Sequence, residues 1–155
     1  MTRPPVAMIA GLGIAVPDKV LTNAYFEQIL DTSDQWIVER TGIRERHVAE
    51  PGQSLSDLCT EACRKAMAEA GVAAEEVDAI VLGTVTPDRR LPATACDIQA
   101  KLGAKRAAAF DLAAACPGFV YALTVGEGLI AGGRFKTVLV LSGEKLSTIT
   151  DYQDR

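Results

Sequence analysis

The stretch Ala107-Ala108-Ala109-Phe110-Asp111-Leu112-Ala113-Ala114-Ala115-Cys116-Pro117-Gly118-Phe119 decides how this chain folds. A short apolar run leads into the cysteine and a long apolar segment follows it. The pattern predicts a buried strand, a tight turn, and a helix that starts at or just after Cys116. A thiol at a helix N-terminus faces unpaired N–H groups and the positive end of the helix dipole, which favour thiolate over thiol. Such a thiolate is a nucleophile with part of an oxyanion site beside it. The competing reading is a small buried hydrophobe, the commonest use of a free cysteine.

Outward from that stretch, strand and helix signals alternate. Val77–Val85 contains Ile80-Val81-Leu82, and Thr137–Leu141 is similar; both predict strands covered on two faces. Ser54–Ala70 is the clearest helix. Its apolar positions follow the i, i+3, i+4 pattern, with Ser54 as cap and Gly71 as stop. Ala93–Leu102 predicts a second helix ended by Gly103. Pro117–Ala131 predicts a third, apolar nearly all round apart from Glu127 and therefore deeply buried. Nearer the start, Val6–Val16 predicts a central strand ended by Pro17-Asp18. Thr22 is a cap for a short helix over Asn23–Leu30, and Ser33 for another over Asp34–Arg40 that Gly42 stops. Ile43–Ala49 predicts an exposed strand or loop. The alternation implies an α/β architecture, a mostly parallel central sheet with helices on both faces.

A length of 155 residues suggests one domain with its own core, and 48% hydrophobic with 23% charged residues is ordinary for a soluble globular protein. No apolar run reaches the roughly 18 residues needed to span a bilayer. Val6–Val16 has the length of a signal h-region, but Gly11 and Gly13 interrupt it and no clean cleavage site follows. A first strand and a cytoplasmic location are the expectation. Gly11-Leu12-Gly13 is no dinucleotide fingerprint, because position 16 is Val16 rather than glycine. A net charge of −4 argues against nucleic-acid binding. The basic stretch Arg40–Arg46 is suited to phosphate on a small ligand; Arg89-Arg90 reads as solvated loop charge. The four cysteines do not form a disulfide framework in a chain of this length. Cys59 and Cys63 share one helix face as packing residues, and with His47 as the sole histidine no metal site is expected.

Four motifs, in order, resemble the N-terminal half of the β-ketoacyl-acyl carrier protein synthase III family, within the thiolase-like superfamily. They are Asp31-Thr32-Ser33-Asp34-Gln35-Trp36-Ile37, Arg40-Thr41-Gly42-Ile43-Arg44-Glu45-Arg46, Ala95-Cys96-Asp97-Ile98-Gln99, and Asp111–Phe119 around Cys116. The similarity spans essentially residues 1–155. It implies a thiolase-like half-domain and an acyltransferase that initiates fatty acid synthesis. Cys116 takes an acyl group from acyl-coenzyme A, and the acyl-enzyme condenses with malonyl-acyl carrier protein, releasing carbon dioxide and forming a 3-oxoacyl-carrier protein. Acyl-coenzyme A enters as a substrate; no permanently bound cofactor is implied.

By the same resemblance, the Cys116 N–H supplies half of an oxyanion hole. Trp36 stacks on the coenzyme A adenine with Arg155 on the ring's other side, and Thr32 and Arg40 contact the nucleotide. An aromatic face and a guanidinium plane are chemically suited to sandwich a base. From the residues alone, a lone tryptophan on a short amphipathic helix reads as a core plug, and only the resemblance gives Trp36 the adenine. Leu91 matches a residue that reaches across a homodimer into the neighbour's acyl pocket. Cys96 has no nucleophilic role in the family, and His47 does not match its catalytic histidine. That histidine and an asparagine lie in a second half that this chain lacks, so the chain alone is expected to be inactive and to expose an apolar face where that half packs. Two other readings are a non-catalytic module binding a coenzyme A thioester or a partner, and another thiolase-like condensing enzyme of polyketide or quinolone synthesis.

Overall fold

In chain order the elements are β1 (Val20–Thr22), α1 (Asn23–Glu27), α2 (Asp34–Thr41), β2 (Glu45–His47), α3 (Leu55–Ala70), β3 (Ala79–Gly83), α4 (Thr94–Leu102), β4 (Ala108–Leu112), α5 (Gly118–Ala131) and β5 (Val138–Ser142). They come from a computed structural model that describes residues 7–154. The chain divides into two units, residues 7–15 with 54–144 and residues 16–53 with 145–154.

The larger unit holds a parallel sheet in the order β4-β3-β5. Every residue of β3 is buried, as its unbroken apolar run requires. Strand alternation then sorts its neighbours. Ile80 and Leu82, in register with Leu139 and Leu141, join the core with Leu55, Cys59 and Cys63 of α3 and Ala95 and Ile98 of α4. On the other face Val138 and Val140 meet Gly126 of α5. Helices therefore cover both faces, as expected. Gly118, Ala122 and Gly126 are the buried residues of α5, a small-residue row that lets this helix lie close to the strands. The expectation that α5 is deeply buried is corrected. Phe119, Val120 and Tyr121 are exposed, because the sheet covers one side of the helix only.

Caps fix where the helices begin and end. Ser54 Oγ accepts from the Asp57 N–H, and Gly71 ends α3 with φ 66°. α4 has no capping side chain of its own at Ala93. The Asp111 carboxylate on β4 does that work, accepting from the N–H groups of Thr94 (2.8 Å) and Ala95 (2.9 Å). The first turn of α3 is likewise held by Asp88, which accepts from Leu55 (2.7 Å) and Ser56 (2.9 Å).

The predicted central strand Val6–Val16 is also corrected; Val6 itself lies outside the described residues. Residues 7–15 belong to no strand pair. The segment runs along α3, with Gly11 and Gly13 against its backbone. Lys65 Nζ donates to the Ile14 carbonyl (2.9 Å), and the Leu12 N–H donates to Glu69 (3.0 Å). Its alternation is that of a strand, but α3 supplies side-chain partners instead of a ladder.

In the smaller unit β1 and β2 pair antiparallel, with Val20 opposite His47. β1 was not predicted, and β2 falls within the stretch read as exposed strand or loop. α1 is shorter than the predicted Asn23–Leu30, and Thr22 precedes it without a side-chain capping bond. α2 begins as predicted: Ser33 Oγ accepts from the Trp36 N–H (3.1 Å), and Gly42 ends the helix with φ 73°.

One consequence is a pH dependence of stability. Lys101 Nζ donates to Asp57 (2.6 Å), Ser56 (2.7 Å) and Ser54 (3.2 Å). The hydrogen bond from Lys101, then that from Ser54, holds the Asp57 carboxyl at about 2 instead of 3.8. A carboxyl lowered in the folded state stabilises above its unfolded value and loses that contribution as pH falls through the folded one. The urea midpoint is therefore expected to drop between roughly pH 4 and pH 2, and to drop less in Asp57→Asn. An identical drop in the variant removes Asp57 from the cause.

Candidate active site

Cys116 is carried on the turn between β4 and α5. The turn is tight: the Gly118 N–H donates to the Ala115 carbonyl (2.8 Å), and Ala115 has φ 51°. A non-glycine residue in the left-handed region stores strain, a condition that recurs at functional sites. α5 starts two residues after Cys116, as the sequence predicts. The thiol lies at the carboxyl ends of the parallel strands, where open α/β sheets hold their ligands. Cys116 is exposed and takes no part in the hydrophobic core of this unit, unlike Cys59 and Cys63.

The other thiols differ. Cys59 and Cys63 are buried in the α3 core, and burial pushes both up to about 12. Only on the order of one such thiol in ten thousand is ionised at pH 8. Iodoacetamide at that pH is expected to label Cys116 and to leave Cys59 and Cys63 unmodified until the protein is unfolded, as peptide mapping would read. Labelling of Cys59 or Cys63 at the rate of Cys116 contradicts this core. Cys96 is half-buried on α4, with its Sγ 3.8 Å from the Ala109 carbonyl oxygen.

Leu91 is presented by the loop between β3 and α4 and is 85% exposed. The loop around it is pinned. Asp88 holds the start of α3, the Asp88 N–H donates to Thr94 Oγ1 (3.1 Å), and Arg89 pairs with Asp97 (2.6 Å). Arg89 and Arg90 are both exposed on this loop, as the sequence predicts, and Arg89 adds the surface ion pair to Asp97.

In the smaller unit the structure brings Trp36 and Arg40 together on α2. The guanidinium carbon of Arg40 lies 5.4 Å from the centre of the Trp36 ring. Ile37 takes the buried side of the helix, and Trp36 is left 38% exposed, so it is no core plug. Thr32, just before the cap, has a buried hydroxyl oxygen with no hydrogen-bond partner. Asn23, which the sequence did not single out, organises this surface. It is buried, its Nδ2 donates to Asp34 (2.7 Å) and the Ile43 carbonyl (2.9 Å), and its Oδ1 accepts from Arg46 (2.7 Å). Arg46 is thereby held, with its guanidinium also over Phe26. His47 is hydrogen-bonded through Nδ1 to the Pro17 carbonyl (2.6 Å), a tether between neighbouring segments. Arg155 lies outside the described residues. Among the described residues no group of three or more metal-ligating side chains is found, and no helix is long and apolar enough to cross a membrane.

The parallel sheet covered on both faces, with a strained cysteine turn at its carboxyl end, gives the chain an α/β half-domain fold of the thiolase-like class. Within that class its similarity is to 3-oxoacyl-[acyl-carrier-protein] synthase III, the family whose model matches residues 110–155. The chain is 53% identical to the β-ketoacyl-[acyl-carrier-protein] synthase III of Rhodospirillum centenum, over 96% of this chain and 46% of that protein. It superposes on the synthase III of Aquifex aeolicus with a TM-score of 0.92 and 48% identity, covering 95% of this chain and 47% of that one. The priming β-ketosynthase of the R1128 polyketide pathway gives 0.91 at 35% identity, over 95% of this chain and 44% of that one. The chain spans about half the length of the relatives it matches.

Proposed function

We propose that this chain is the nucleophile-bearing half of a 3-oxoacyl-acyl carrier protein synthase III. The observation that carries the reading is the exposed Cys116 on its strained turn at the start of α5, inside the stretch that matches the family. The Cys116 thiolate attacks the carbonyl of an acyl-coenzyme A. The carbon–sulfur bond to coenzyme A breaks, and coenzyme A leaves as a thiolate that takes up a proton. Malonyl-acyl carrier protein then loses carbon dioxide, and the resulting carbanion forms a carbon–carbon bond to the acyl group, returning the electron pair to Cys116. The Cys116 N–H, at the positive end of α5, stabilises the oxyanion of the first step.

Trp36 offers a half-exposed ring for the adenine, with Arg40 and Thr32 toward the nucleotide and Arg155 on the ring's other side. Leu91, bare on a pinned loop, suits a residue that enters the acyl pocket of a second copy in a homodimer and limits the primer's length. Decarboxylation draws on a histidine and an asparagine from a second half, and the exposed Phe119, Val120 and Tyr121 are consistent with a face that such a partner covers. The enzyme works in the cytoplasm, without a permanently bound cofactor.

The test is intact-mass spectrometry of the protein carrying both halves, before and after acetyl-, isobutyryl- or octanoyl-coenzyme A. A gain of one acyl group on Cys116 is expected. Binding of donor without transfer favours a non-catalytic module instead. A second reading, suggested by the likeness to a polyketide priming ketosynthase, shares the acylation step and differs in the acceptor. Condensation with a carrier protein of polyketide synthesis, and none with that of fatty acid synthesis, decides for it.

A further inference from the structure

Glu144 lies just past β5, at the same end of the sheet as Cys116. Its carboxylate gathers donors from the segment that follows β3. One oxygen accepts from the Val85 N–H (2.9 Å). The other accepts from the Thr86 N–H (3.0 Å), the Thr84 hydroxyl (3.3 Å) and the Thr86 hydroxyl. Val85 and Thr86 lie beyond the strand ladder, so their N–H groups have no ladder partner and bond the carboxylate instead.

The segment held in this way brackets the cysteine turn. The Thr84 N–H donates to the Leu112 carbonyl (3.0 Å), where β4 ends. Gly83 lies against Gly118, where α5 begins; a Cβ on Gly83 would come within 2.9 Å of the Gly118 carbonyl carbon and oxygen. Residues 113–117 therefore hang between two points, both resting on Gly83-Thr84. The Gly83 carbonyl in turn accepts from the Gly143 N–H (3.2 Å), next to Glu144 itself.

We propose that Glu144 is a positioning residue for Cys116: its carboxylate fixes Thr84–Thr86, and through Gly83-Thr84 it fixes the turn that carries the thiol. The inference rests on Cys116 being the acylated nucleophile. A carboxylate suits the task because both oxygens accept. An amide in its place turns an NH2 group toward N–H or O–H donors.

The test compares Glu144→Gln and Glu144→Asp in the protein carrying both halves. It reads single-turnover acyl transfer from the three donors named above and amide hydrogen exchange at Val85 and Thr86. Glu144→Gln is expected to slow transfer by about 10- to 100-fold, with the half-saturating donor concentration little changed. Exchange at Val85 and Thr86 is expected to quicken about 10-fold or more. Glu144→Asp, which keeps both acceptor oxygens, is expected to recover most of the rate and the protection. Transfer in Glu144→Gln within about twofold of wild type overturns the proposal. So does unaltered exchange at Val85 and Thr86, or a folded Glu144→Asp no faster than Glu144→Gln. A wild-type protein that accepts none of the donors overturns the acyl-transfer function itself, together with the nucleophile to be positioned. That failure is visible before any variant is compared.

Discussion

Cys116→Ala is expected to lose acyl transfer by about 10⁴-fold or more, down to the background of donor hydrolysis. In the proposed function the covalent step needs a polarizable nucleophile at that one position, and none of the other three thiols is placed to stand in. Cys59 and Cys63 are buried and pushed to about 12, and Cys96 is half-buried on a different helix. The loss must be chemical rather than structural. Cys116 is exposed in this half, so removing its sulfur costs the half's own fold no more than about 0.5 kcal/mol. Melting temperature and donor binding are therefore expected to survive the substitution while the acyl adduct disappears from the mass spectrum. Cys116→Ser should fall nearly as far, since a hydroxyl is scarcely ionised near neutral pH. An adduct of undiminished yield on Cys116→Ala removes this residue from the mechanism, and the site of that adduct would name its replacement.

The features legible in the sequence were those with a local cause. Ser33 and Ser54 are legible as caps because a hydroxyl reaches its own helix's first turn. Gly42, Gly71 and Gly103 are legible as stops, and all three have positive φ. Ile80-Val81-Leu82 announced a doubly covered strand by composition alone. The Cys116 turn was legible because an apolar strand, a proline and a glycine punctuate it at fixed spacing. What escaped depends on distant partners. Asp88 caps a helix whose start lies more than thirty residues earlier, and Glu144 holds donors nearly sixty residues before it. An isolated acidic residue carries no mark of such a role. Strands are relations between segments, so residues 7–16 have the composition of a strand but no ladder partner among the described residues, while β1 and β2 are too short to show a period. The apolar character of α5 is plain in the sequence, but periodicity cannot say how many faces find cover.

The segment at residues 7–15 supplies the other large effect. Gly13→Ala is expected to destabilise the larger unit by about 3 kcal/mol, which for a protein of this size lowers the melting temperature by roughly 6–12 °C. A Cβ on Gly13 would overlap the carbonyl oxygen of Ala62 and come within 2.8 Å of the Ala66 nitrogen. Both are backbone atoms in the middle of α3, whose buried side includes Cys59 and Cys63. The helix cannot retreat without disturbing that core, so the segment must lift instead. Lifting breaks the bonds from Leu12 to Glu69 and from Lys65 to Ile14. Amide exchange at Leu12 tells the two routes apart: it quickens if the segment lifts and stays slow if α3 shifts. Gly128→Ala is the control. Nothing lies within 4 Å of a Cβ at that position on α5, so alanine should stabilise the helix by about 0.5–1 kcal/mol. The same added methyl group is thus expected to act with opposite sign at the two glycines, as urea midpoints would show. A Gly13→Ala protein as stable as wild type means that residues 7–15 are not seated on α3.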